Sequence, residues 1–133
     1  NLRHEIIKLL TELGVEYDDL GPSTDESVDY SDYATPVANG VASGKYDRGI
    51  LICGTGIGMS IAANKVKGIR CALVHDVFSA KATREHNNTN VLAMGERVIG
   101  PGLAREIVKT WLNTSFEGGR HERRLTTLKE REN

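Results

Sequence analysis

Aromatic residues are scarce, with four tyrosines, two phenylalanines and one tryptophan making up 5% of 133 residues. Any core must therefore be built from aliphatic side chains. Proline occurs three times and cysteine twice, which excludes a proline-rich linker and a disulfide-stapled scaffold. The cysteines, Cys53 and Cys71, sit in separate strand-like runs without metal-ligand spacing, so a reduced, cytoplasmic protein is expected. No apolar run approaches the roughly 20 residues of a membrane span. Neither sign of charge dominates: 17 basic residues face 18 acidic ones, for a net charge of −1. No general field draws nucleic acid or an anionic membrane to such a chain, and any anion site must be local. There is no internal repeat and no low-complexity linker, and the length suits one domain spanning 1–133.

What the chain does have is the stretch Ile50-Leu51-Ile52-Cys53-Gly54-Thr55-Gly56-Ile57-Gly58-Met59-Ser60. A short apolar run ends in a cysteine, breaks into glycines and continues into the small residues Ile61-Ala62-Ala63-Asn64, the pattern of buried strand, tight loop and helix start. Glycines let the backbone turn sharply and leave N–H groups unscreened near the positive end of a helix, so such a loop holds negative charge. A dinucleotide fingerprint would need glycine where Met59 stands, and a P-loop would need Gly-Lys-Ser or Gly-Lys-Thr at its end. Neither fits. Cys53 stands just before the helix N-terminus, where a thiolate is stabilised, while a buried cysteine acting as a small hydrophobe is an equal alternative.

Around this stretch the elements follow in order. Leu2, Ile6, Leu9, Leu10 and Leu13 recur at helical spacing behind an Asn1 cap, until Gly14 closes the helix. Residues 15–18 read as a short strand, residues 21–32 as a long polar loop, and residues 33–43 as a helix with Pro36 in its first turn. Ile69-Arg70-Cys71-Ala72-Leu73-Val74 reads as a second buried strand. A helix from Val77 to His86 follows an Asp76 cap, and Val91-Leu92-Ala93-Met94 forms a third strand. Pro101 opens a helix whose Leu103, Ile107, Val108, Trp111 and Leu112 share one face, and Gly118-Gly119 leads into a basic tail. Strands alternating with helices predict a parallel sheet covered on both faces.

Ligands of such sheets sit at the carboxyl ends of the strands, which gathers the Cys53 loop and the turns after Val74 and Met94. His75-Asp76 lacks further metal ligands, so Asp76 reads as a cap and His75 as incidental. On local sequence alone, His86 at a helix end complements the dipole. The tail residues Arg120, His121, Arg123 and Arg124 form a solvated helix in the ordinary reading. Against that, Arg120 and Arg124 share a face suited to a phosphate, and Arg97 is placed to join them.

The runs ICGTGIGMSIAANK, REHNNTNVLAMGERVIG and FEGGRHERR, in that order and spacing, resemble ribose-5-phosphate isomerase type B of the ribose/galactose isomerase family. The SVDYSDYA segment is similar to a family loop as well. The resemblance implies an α/β fold, a three-layer α/β/α sandwich with a parallel sheet of five strands. It also implies homodimers or dimers of dimers with active sites between subunits. The family opens with a strand ending in an Asp-His pair, and this sequence starts just beyond it, so the resemblance implies an N-terminally incomplete domain.

The resemblance further implies that Cys53 is the proton-abstracting base, that His86 assists ring opening, and that Thr55 moves protons between substrate oxygens. Gly54, Thr55, Gly56, Ile57 and Gly58 would bind substrate through the loop. Asn87, Arg97, Arg120, Arg124 and, with less support, Tyr30 would contact it, the arginines chiefly through the phosphate. The partner is a small-molecule sugar phosphate, with no metal and no organic cofactor. A six-carbon sugar phosphate such as galactose 6-phosphate or allose 6-phosphate, a non-catalytic sugar-phosphate binding module, and a cysteine hydrolase stand as alternatives.

Overall fold

A computed structural model describes residues 2–21 and 30–130, with the side chains of residues 30–32 outside the described set. Its helices are α1 (Leu2–Glu12), α2 (Tyr30–Ala42), α3 (Ile57–Asn64), α4 (Val77–Asn87), α5 (Pro101–Asn113) and α6 (Arg120–Glu130). Its strands are β1 (Gly49–Cys53), β2 (Cys71–Leu73) and β3 (Val91–Gly95). The sheet runs in the order β1-β3-β2. Both pairings are parallel, with Cys53 opposite Gly95 at the carboxyl end and Cys71 opposite Val91 at the amino end.

Strand alternation sorts the core into two layers. Leu92 and Met94 of β3 face a cluster formed by Leu2, Ile6 and Leu9 of α1, Ala80 of α4, and Ile107, Val108 and Trp111 of α5. Val91 and Ala93 face the other way, onto Ala34, Ala38 and Val41 of α2 and Met59 and Ala63 of α3. The result is the expected α/β/α sandwich. Every residue of β3 is buried, and full burial of a side chain the size of Leu92 or Met94 stabilises by about 1.5–3 kcal/mol.

Several expectations need correction. Residues 15–18 form no strand. They run along a groove of about 770 Å³ whose other wall includes Gly49, Ile50, Leu51 and Ile52 of β1. Side chains hold this stretch instead of a ladder: Tyr46 Oη donates to Asp18 Oδ2 at 2.8 Å, and Arg3 pairs with Asp19. Three strands are thus present among the described residues, whereas the resemblance implies five for the family, the first of them lying before this sequence.

Helix α2 begins at Tyr30, so residues 30–32 belong to a helix rather than a loop, and Pro36 lies in the interior instead of the first turn. Pro36 removes one backbone hydrogen bond, but its ring is exposed while Ala34, Ala38 and Val41 are buried. Packing decides. Strand β2 is three residues long rather than six; the chain enters it from Arg70, whose N–H donates to Asn90 Oδ1 at 2.8 Å. The Asn1 cap and residues 22–29 lie outside the described residues.

Candidate active site

Cys53 ends β1, and two backbone bonds tie the following turn to the end of β3: Glu96 N–H to Cys53 O at 2.8 Å and Arg97 N–H to Gly54 O at 3.0 Å. The loop then curls around the thiol, and Gly56 N–H donates to Cys53 Sγ at 3.1 Å. Gly56 has φ of +79°, and a methyl there would lie 2.6 Å from Leu73 Cδ1 and 2.9 Å from the Met94 carbonyl carbon. Only glycine fits both demands.

Helix α3 starts at Ile57, so its first-turn N–H groups have no intrahelical acceptor. Thr55 Oγ1 accepts from Ile57 N–H at 3.3 Å. The Arg97 side chain lies beside Gly54, where a methyl would meet its Cδ and Nε at 3.6 Å. The structure therefore brings Cys53, Gly54, Thr55, Gly56, Ile57, Gly58 and Arg97 to one place, so within one chain Arg97 sits with the loop rather than joining Arg120 and Arg124.

Both cysteines are free, and their surroundings differ. Burial pushes the Cys71 thiol up to about 12, which leaves it a protonated packing residue. Cys53 instead receives a backbone N–H. Asp76 caps α4 as expected, accepting from Ser79 N–H at 2.6 Å. His75 is not incidental: its Nε2 accepts from Gly95 N–H at 2.9 Å and so anchors the end of β3.

The remaining candidates gather elsewhere. Helix α4 runs back from the carboxyl edge, so its last residues, His86 and Asn87, lie at the sheet's amino edge, roughly 16 Å away along an 11-residue helix. There the His86 ring stacks on His121 with centroids 4.4 Å apart. Glu117 Oε1 lies 4.0 Å from His86 Nε2 and 3.5 Å from His121 Nε2. Arg120 and Arg124 join Arg123 and Thr127 around a recess of about 240 Å³ on α6. The tail is solvated as the ordinary reading has it, except that His121 is buried. Tyr30 lies in α2, and its side chain is outside the described residues.

Arg84 organises this edge. Its Nη1 donates to Thr89 O at 2.7 Å and to Asn88 Oδ1 at 2.9 Å, and its Nε to Thr114 O at 3.1 Å. Burial, with Arg48 and Arg70 nearby, pushes its guanidinium down to about 10. Glu117, His121 and Arg84 carry no role in the sequence reading. The available signal was the four-residue spacing of Glu117 and His121 across Gly118-Gly119.

Within one chain, then, the Cys53 thiol, the glycine loop and Arg97 occupy one edge, and His86, His121, Arg120 and Arg124 occupy the other. A parallel sheet covered on both sides, with a glycine loop at its carboxyl edge, defines an α/β protein whose candidate site lies at that edge. The ribose/galactose isomerase model matches residues 1–128. Escherichia coli (strain K12) ribose-5-phosphate isomerase B is 51% identical over 135 residues, covering 99% of this chain and 91% of that protein. A Bacillus subtilis (strain 168) protein, YwlF, assigned only provisionally as a sugar phosphate isomerase, is 68% identical over 133 residues, covering 99% of this chain and 89% of its own. The Clostridium thermocellum ribose-5-phosphate isomerase B structure superposes with a TM-score of 0.96 at 52% identity, covering 98% of this chain and 88% of that one.

The chain belongs to the ribose/galactose isomerase family and is an isomerase. Among the described residues no helix is long and apolar enough to cross a membrane.

Proposed function

We propose that this single domain interconverts ribose 5-phosphate and ribulose 5-phosphate through a cis-enediolate, in active sites shared between two copies of the chain. The observation that carries the reading is the Gly56 N–H donated to Cys53 Sγ at 3.1 Å beside the start of α3. It supports a sulfur held within the loop by a backbone donor. Cys53 as thiolate takes the proton from carbon 2 of the opened sugar and delivers it to carbon 1. Charge developing on the carbonyl oxygen meets the N–H groups of Gly54 to Gly58, and losing one such donor costs about 10²–10³ in rate.

Thr55 carries a proton between the two substrate oxygens, so that oxygen 1 gains what oxygen 2 loses. His86 gives a proton to the ring oxygen as its bond to carbon 1 breaks and regains one from the carbon 1 hydroxyl, which becomes the carbonyl; Arg97, Arg120 and Arg124 hold the phosphate, and Asn87 and Tyr30 contact the sugar. The reaction needs no metal and no organic cofactor.

Placement supports the shared site. Cys53 and His86 lie at opposite edges of one sheet, so on this reading a second copy supplies His86 to the thiol. Exposed apolar side chains flank the Cys53 edge: Ile57 and Ile61 on α3, Phe78 at the start of α4, and Val98, with Phe78 81% exposed. A second copy would cover them.

The test is a steady-state assay comparing ribose 5-phosphate with allose 6-phosphate, galactose 6-phosphate and a tetrose phosphate. Preference for the pentose is expected, and preference for another length reassigns the substrate. Cys53→Ala should lose about 10²–10⁴-fold in rate. Co-expressed with an inactive His86→Asn chain, it should recover about one quarter of full activity, because half the dimers are mixed and each mixed dimer keeps one intact site. Full activity in Cys53→Ala alone overturns the base, and no recovery on mixing overturns the shared site.

A further inference from the structure

The end of β3 is held from both sides. Toward β1, Glu96 N–H donates to Cys53 O at 2.8 Å and Arg97 N–H to Gly54 O at 3.0 Å. Toward β2 the backbone ladder stops at Val74, whose N–H donates to Ala93 O at 3.0 Å. The next N–H of β3 on that side, from Gly95, goes to a side chain, His75 Nε2, at 2.9 Å. Gly95 is buried, so its N–H has to be paired, and an imidazole stands in for a ladder carbonyl.

The Cys53 loop rests on the same residue. Gly95 pairs with Cys53 across the sheet, and the Thr55 backbone crosses it so closely that a Cβ on Gly95 would stand 2.6 Å from Thr55 C. A Cβ on Gly56 would stand 2.9 Å from the carbonyl carbon of Met94, one residue before Gly95. Contacts this tight leave no slack, so a shift of Gly95 moves Thr55 and Gly56 with it. Gly56 N–H in turn is the donor to Cys53 Sγ. His75 is itself anchored: it joins β2 to α4, between buried Val74 and the Asp76 cap, which accepts from Ser79 N–H at 2.6 Å.

We propose that His75 is a positioning residue for the Cys53 loop: by accepting the Gly95 N–H it sets the end of β3, on which Cys53, Thr55 and Gly56 are seated. The role needs the tautomer with its proton on Nδ1, which leaves a lone pair on Nε2. Its kinetic consequence rests on the isomerase reading, in which the thiol and the loop N–H groups act on substrate. The mechanical link from His75 to Gly56 does not. Loss of the acceptor lets Gly95 drift, and misplacing reacting groups by about 1 Å costs on the order of 10²-fold in rate.

The test compares the unaltered chain with His75→Leu, which removes the acceptor, and His75→Gln, whose amide oxygen can take the place of Nε2. Amide exchange followed by NMR should show Gly95 and Gly56 accelerated in His75→Leu by about tenfold beyond any change at Leu92, with His75→Gln close to the unaltered chain. In the isomerase assay His75→Leu should lose about 10–10²-fold in kcat with KM within about threefold, and His75→Gln should regain most of it. Selective acceleration at Gly95 without Gly56, equal acceleration of every amide including Leu92, or full kcat in His75→Leu overturns the positioning role. A His75→Gln chain as slow as His75→Leu overturns the acceptor argument. Should His75→Leu fail to fold, imidazole nitrogen NMR of the unaltered chain decides: a proton on Nδ1 with a bare Nε2 upholds the proposal, and a proton on Nε2 overturns it. If the unaltered chain turns over no sugar phosphate, the isomerase reading fails, while the exchange measurement still judges the link to Gly56.

Discussion

Gly95 closes β3 opposite Cys53, and the Thr55 backbone crosses directly against it. In Gly95→Ala the new methyl would stand 2.6 Å from Thr55 C and Cα and 2.7 Å from its O, whereas ordinary contact begins at 3.4 Å. The obstacle is backbone, so no rotamer change relieves it, and the loop must lift by about 0.8 Å. Overpacking of this kind costs about 1–3 kcal/mol, offset by up to ~1 kcal/mol from the stiffer unfolded chain. The net loss of about 1–2 kcal/mol lowers Tm by roughly 3–8 °C in a domain of this size. On the proposed reading the rate suffers more, since misplacing donors by about 1 Å costs on the order of 10²-fold. Gly102→Ala is the control: nothing lies within 4 Å of that methyl, and replacing glycine in a helix should stabilise by up to ~1 kcal/mol. Scanning calorimetry and the steady-state assay read both effects. A Gly95→Ala protein that melts no lower than the unaltered chain and isomerises at full rate refutes the close-approach argument.

Arg84→Met keeps the aliphatic stem but strips donors from Thr89 O, Asn88 Oδ1 and Thr114 O; a loss of about 1.5–3 kcal/mol is expected from the urea midpoint, and an unshifted midpoint would count against the network. With burial holding the Cys71 thiol up at about 12, iodoacetamide should label Cys53 well before Cys71, as read by peptide mass spectrometry; equal labelling would contradict the burial argument. The Ser79 N–H, followed by the Ser79 hydroxyl, holds the Asp76 carboxyl below its ordinary value of 3.8. Its folded-state value is thus depressed, so its stabilisation is complete above that ordinary value and lost as pH falls through the folded one. In acid below about 3.8, the unaltered chain should lose stability faster than Asp76→Asn, and parallel acid titrations of the two would refute the linkage.

Periodicity made much of the fold legible. The apolar runs at β1 and β3 and the Asp76 cap appear where their residues require them, and the α5 stripe does so except at Leu103, which is exposed while Ala104 is buried in its stead. Residues 15–18 show why the same logic fails elsewhere: β-compatible side chains make no strand without a partner ladder, and that stretch is held by Tyr46 and Arg3 instead. At Pro36 the missing hydrogen bond argued for a helix start, and burial of Ala34 and Ala38 carried the helix through it. His75 reads as incidental because its acceptor role depends on Gly95, twenty residues on and brought near only by strand pairing. The Cys53 loop was legible because its parts are contiguous, all but Arg97 lying within six residues. The opposite placement of His86 was implicit in the parallel sheet, since a helix joining two parallel strands runs back against them, but no local motif marks it.

The position of β3 has a consequence for how the molecule opens. Its residues touch both apolar layers, with Leu92 and Met94 in one and Val91 and Ala93 in the other, and all are fully buried. Neither layer can peel away without exposing half of this strand to water. The two sets of helices share no separate melting step, and the amide protons of Leu92 and Ala93 can trade with deuterium only when the whole chain unravels. What the sandwich divides in space, its central strand joins in free energy.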